Sequence, residues 1–155
     1  VEEDQYRQTY RTFNQRRCVY EKAINSRRCT CQSAHRFNLA DREGVACQSA
    51  AGHERCHALL QLMRKNAGFA LKLADADGSP LPHAKEIKVQ VGGLLGLQGL
   101  LRQEKRHSES VENIDHILQQ ALREYGSFNA IPFSEVVKSI TTFKGRQRRS
   151  GKRQD

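Results

Sequence analysis

No stretch of this sequence approaches the roughly 20 consecutive apolar residues that a helix needs to cross a bilayer, so no membrane span is expected. No period repeats along it, which leaves solenoid, coiled-coil and collagen-like architectures without support. It lacks both the G-x-S-x-G nucleophile elbow and the H-E-x-x-H zinc-protease helix. It also lacks a phosphate loop: Gly92, Gly93, Gly96 and Gly99 are followed by no G-K-[ST] and do not fall in the order G-x-G-x-x-G. Asp75 to Gly78 is too poor in oxygen ligands for a calcium loop, and Pro80 and Pro82 interrupt it. No secretory leader is visible, and an opening at Val1 is neutral on that point. Nothing here asks for an enzyme, and the expected compartment is the cytoplasm.

What is present is enough for one modest core. The chain has 155 residues, 37% hydrophobic and 28% charged, which is polar for a globular protein but not depleted enough for full disorder. Its formal charge of +9 is uneven. More than half of the excess lies in the tail from Lys144 to Asp155, KGRQRRSGKRQD, which has nothing apolar to bury. Lys144, Arg146, Arg148, Arg149, Lys152 and Arg153 are therefore candidates for binding anions. They would contact a nucleic-acid backbone or an acidic protein partner by charge and without sequence preference, no aromatic being interleaved for base stacking. The alternative is a solvated terminus.

All five cysteines, Cys18, Cys29, Cys31, Cys47 and Cys56, fall in one quarter of the chain, and the last 99 residues have none. Their spacing, C-x10-C-x-C-x15-C-x8-C, lacks the C-x2-C knuckle of zinc sites. Iron–sulfur clusters take four thiolates from scattered directions more readily. The set expected to hold a cluster is Cys29, Cys31, Cys47 and Cys56, with Cys18 in reserve. His53 and His57 are the nitrogen ligands to consider if the metal is zinc. Basic neighbours (Arg16, Arg17, Arg27 and Arg28) would offset the negative charge of a thiolate cluster and lower thiol pKa values. Disulfides are the second account, although five thiols leave one over; buried free thiols are the third.

Periodicity predicts helices over residues 3–25, 53–73, 109–125 and from Ile131-Pro132 onward. Over 84–105 a helix is preferred to a strand, its glycines implying close approach of another backbone. Residues 27–52 show no period beyond a short helix near Ala40 to Cys47, and so need something such as a metal to organise them. Asp115 and His116 read as exposed helix surface. The sequence thus predicts an all-α domain of four to five helices over 1–143. It divides into a cysteine-bearing subregion 18–57, a linker 74–83 and a cysteine-free half 84–143, with a disordered basic tail at 144–155. The predicted function is a small soluble iron–sulfur or zinc protein acting as an accessory, electron-transfer or redox-sensing component. The alternative is a basic adaptor that works through its tail.

Overall fold

The helical pattern read over residues 53–73 becomes part of the longest helix among the described residues. The computed structural model describes residues 2–74, 82–104 and 108–145. Its elements are α1 (Glu2–Phe13), α2 (Glu21–Asn25), β1 (Ala34–Leu39), β2 (Arg42–Cys47), α3 (Ala50–Ala74) and α4 (Pro82–Ile87). They continue with a π-helical stretch (Lys88–Gly92), α5 (Gly93–Arg102), α6 (Ile114–Tyr125), a 3-10 turn (Phe128–Ala130) and α7 (Phe133–Thr142). The molecule is mostly helical, and no helix among the described residues is long and apolar enough to cross a membrane.

Ser49 opens α3 by accepting the Gly52 N–H at 2.9 Å, which satisfies one of the free donors of the first turn. Leu59, Leu60, Met63, Ala67 and Leu71 then recur on one buried face. Val89, Val91, Leu94 and Leu97 from the rod 82–102 join that core, as do Ile117, Leu118 and Ala121 of α6 and Val136 and Ile140 of α7. The glycines of the rod allow α7 to come close. A Cβ at Gly92 would lie 2.9 Å from the Ile140 Cα and from the Ser139 carbonyl oxygen. One at Gly96 would lie 2.8 Å from the Ser139 Cβ. Close approach thus offsets the helix propensity that these glycines cost.

Three expectations need correction, all in the N-terminal third. Residues 3–25 are two helices, not one. Asn14 ends the first by donating its side-chain amide to the Val45 carbonyl at 3.0 Å and to the Tyr10 hydroxyl at 3.0 Å. The chain then runs extended beside β2, with the Cys18 N–H on the Val45 carbonyl (2.9 Å) and the Cys47 N–H on the Arg16 carbonyl (2.8 Å). Residues 27–52 are not without regular structure, since β1 and β2 form an antiparallel hairpin from Ala34 opposite Cys47 to Leu39 opposite Arg42. Residues 40–47 accordingly form a turn and a strand rather than a helix. An all-α description therefore holds only coarsely. The linker expected at 74–83 lies mostly outside the described residues, as do tail residues 146–155.

Candidate metal centre

Four separate segments bring four thiols to one cavity. Its lining includes Cys18, Cys31, Cys47 and Cys56 together with Val19, Tyr20, Ser33, Ala34, His53 and Ile114. Cys18 is carried there by the extended stretch paired to β2, and Cys47 is the last residue of β2 itself. Cys56 stands on the second turn of α3, whose start is fixed by the Ser49 cap. Cys31 is held by a pairing distant in sequence. The Thr30 N–H donates to the Val111 carbonyl, the Val111 N–H to the Arg28 carbonyl and the Ile114 N–H to the Thr30 carbonyl, each at 2.9 Å. These bonds press the loop before β1 against the start of α6. The cavity is narrow, with room of about 20 Å³.

Backbone amides address two of the sulfurs. The Tyr20 N–H near the Cys18 sulfur, and the Ser33 and Asp115 N–H groups near that of Cys31, each favour the thiolate. In both cases the amide two residues on turns back to its own cysteine, which a knuckle around a thiolate requires. Burial outweighs these amides in the bare protein. It pushes the Cys18 thiol up to about 12 and raises Cys31 and Cys56 above the ordinary thiol value, neighbouring thiols adding to the shift in each case. The Cys47 thiol donates to the Ser49 carbonyl at 3.2 Å. All five cysteines are free thiols.

The structure brings together Cys31, Cys47 and Cys56 from the expected set, along with Cys18. It does not bring Cys29. Cys29 sits at a parallel bridge to Val111, and it is absent from the cavity lining that includes Cys31. Cys29 joins the hydrophobic core, where burial pushes its thiol up to about 12. His53 lines the cavity with its Nε2 3.1 Å from the Arg17 carbonyl oxygen. His57, next to Cys56, is exposed and faces an outer groove with Arg17, Lys22 and Arg64. Among the described residues, no three Cys, His, Asp or Glu side chains are placed to hold a single metal ion. Of the basic tail, Lys144 is exposed; Arg146, Arg148, Arg149, Lys152 and Arg153 lie outside the described residues.

Sequence reasoning missed Asp115. It is buried rather than exposed, whereas His116 is on the surface as expected. The Asp115 carboxylate accepts hydrogen bonds from Arg55 (2.9 Å), Gln32 (3.1 Å) and Gln119 (2.8 Å). The available signal was position: an acidic residue in the first turn of a helix, two residues after a polar Asn113 cap. Comparison of the chain with models of protein families, with curated proteins and with solved structures finds no match.

Proposed function

We propose that this chain is a small iron–sulfur protein, an electron-transfer or redox-sensing component whose cluster is held by Cys18, Cys31, Cys47 and Cys56. One observation carries the reading: four thiols from four chain segments converge on one cavity, while the fifth is built into the core. A four-thiolate donor set is that of cubane and two-iron clusters. The backbone N–H groups near the Cys18 and Cys31 sulfurs favour thiolate and would support the negative charge of a bound cluster. Such a cluster would be sheltered by Val19, Ala34 and Ile114. To admit it the four thiols must lose their protons and rotate outward, because the cavity alone is too narrow.

The test is anaerobic purification followed by a visible spectrum and assays of iron, zinc and acid-labile sulfide. Iron and sulfide in equal amounts with visible absorbance support the reading. A colourless protein with one zinc per chain replaces the cluster with a structural ion, His53 then being the nitrogen ligand to examine. A metal-free protein whose mass is short by one hydrogen for each of the four thiols identifies two disulfides and overturns it.

A further inference from the structure

Three open grooves meet around α2 and form one belt. The first is lined by α1, α2 and the start of β2, the second by α2, α3 and the rod 82–102, and the third by the end of α2 and the residues after α7. The first two share Arg17, Glu21 and Lys22, and the first and third share Asn25 and Glu43. The third is the widest, at about 980 Å³. Together the linings hold nine lysines and arginines against five glutamates. Four of the glutamates are already met by an arginine of the belt: Glu3 by Arg42, Glu21 by Arg17, Glu43 by Arg27 and Glu86 by Arg64. What remains is cationic. Arg11 is exposed and has no acceptor among the described residues. Lys22 Nζ meets the His83 ring at 2.6 Å and no carboxylate among the described residues. Lys144 stands exposed on the lip of the third groove, and the sequence after Gly145 adds Arg146, Arg148, Arg149, Lys152 and Arg153. Residues 112–142, which carry α6 and α7, have the opposite bias, four acidic side chains against two basic, and line none of the three grooves. The tail has no ring of its own, but the belt supplies two. Arg42 lies over Tyr6 at 4.3 Å, and Arg28 lies over Phe143 at 5.1 Å.

We propose that this belt, together with the tail that leaves it, is a seat for single-stranded nucleic acid. Phosphates meet Arg11, Lys22 and Lys144, and bases stack on the ring-and-guanidinium pairs of Tyr6 and Phe143. Flat π-surfaces beside unspent cations fit a strand whose bases are unpaired, because in a duplex the base faces are stacked on one another. A lipid surface fits less well. Phe69, the exposed large hydrophobic among the described residues, lies on α3 and lines none of these grooves. An acidic peptide would use the cations and leave the rings idle. The inference does not rest on the iron–sulfur reading, and the iron content of the protein leaves it unaffected.

The full-length chain is titrated into a fluorescein-labelled single strand of about 20 thymidylates, and anisotropy is read over a range of salt concentrations. Competitors are the unlabelled strand, an abasic strand of the same length, polyglutamate and phosphatidylserine vesicles. Variants are Arg11→Gln, Lys22→Gln and a full-length chain in which Arg146, Arg148, Arg149, Lys152 and Arg153 are all replaced by glutamine, each checked for its melting midpoint. The expected result is binding that weakens steeply with salt and survives, weakened, in the tail variant. Each groove variant should bind several-fold more weakly, with the slope of log affinity against log salt shallower by about 0.7. The abasic strand should compete several-fold less well than the thymidylates. Binding lost entirely in the tail variant, with both groove variants matching wild type, assigns the anion site to the tail alone and overturns the inference. So does an abasic strand that competes equally, polyglutamate or vesicles that displace the label at lower concentration than the unlabelled strand, or no binding at low salt. Arg11→Gln, on the exposed side of α1, keeps the test decisive should Lys22→Gln fail to fold.

Discussion

At the scale of single residues, the cysteines divide by what surrounds them rather than by their spacing. Cys29→Ala is expected to lower stability by about 1 kcal/mol, the loss of one small buried group, and to leave iron content unchanged. Cys18→Ala is expected to reduce or abolish iron and sulfide with little effect on the metal-free protein. Iron analysis and urea unfolding of the two variants side by side check both. A second buried group is Glu21, which accepts the Tyr10 hydroxyl, Arg17 Nε at 2.6 Å and the Val45 N–H at 2.8 Å. It joins α1, α2 and β2 from the inside. Tyr10→Phe removes one donor from a buried acceptor and is expected to cost about 1–3 kcal/mol. Burial and the Glu21 carboxylate raise the Tyr10 phenol from its usual 10 to about 12. A raised acid favours the folded state while protonated. Its contribution is therefore complete below pH 10 and is lost as the pH climbs from 10 toward about 12. The melting midpoint of wild type should fall more steeply over that range than that of Tyr10→Phe; equal slopes would remove Tyr10 from the account.

At the scale of elements, the rod 82–102 is where glycine chemistry is decided. Gly92 and Gly68 are both helical glycines, but a Cβ at Gly92 meets α7 backbone at 2.9 Å whereas one at Gly68 meets nothing within 4 Å. Gly92→Ala is expected to destabilise by about 1–3 kcal/mol through overpacking, and Gly68→Ala to stabilise by about 0.5–1 kcal/mol through helix propensity. Urea midpoints of the two variants check the pair. The same element scale shows what was legible in the sequence. Helices α3, α6 and α7 follow the apolar period because each buries one continuous face against the others. The aromatic and aliphatic stripe of residues 3–25 was equally regular, and Tyr10, Tyr20 and Ile24 are indeed buried. What the period could not show was Asn14 spending its amide on a strand 31 residues away, which stops the helix. The hairpin was hidden by its turn. Ala40 and Asp41 both take positive φ, 53° and 68°, a conformation usually announced by Asn-Gly or Asp-Gly. At the thiol site, the parting of Cys29 from Cys31 was not legible, because regular strand alternation puts residues i and i+2 on the same face. Asp115 was not legible, because its burial depends on Arg55 and Gln32 arriving from other segments.

For the whole molecule, α2, α3, α5, α6 and α7 share one core, to which segments 15–18 and 31–47 give Val45 as their buried hydrophobic residue; strand pairing and the Glu21 and Asp115 carboxylates tie them further. A cluster bound by four segments would add its binding free energy to the folded state alone. Removing it by oxidation is expected to lower the melting midpoint. Amide exchange should then quicken first in residues 15–18 and 31–47, while the buried positions of α3 and α7 remain protected. Uniform loss of protection across both regions would contradict that division.

The pairing of Arg28 and Thr30 with Val111 and Ile114 has a consequence for synthesis of the protein. All the thiols have left the ribosome long before the segment that seats Cys31 is made, so the nascent chain carries an open cysteine-rich arm until α6 arrives. During that interval oxidants, and whatever delivers metal, compete for side chains that are still unshielded. Growth in an oxidising medium should therefore trap wrongly paired disulfides in a chain truncated before residue 111 far more than in the full-length protein.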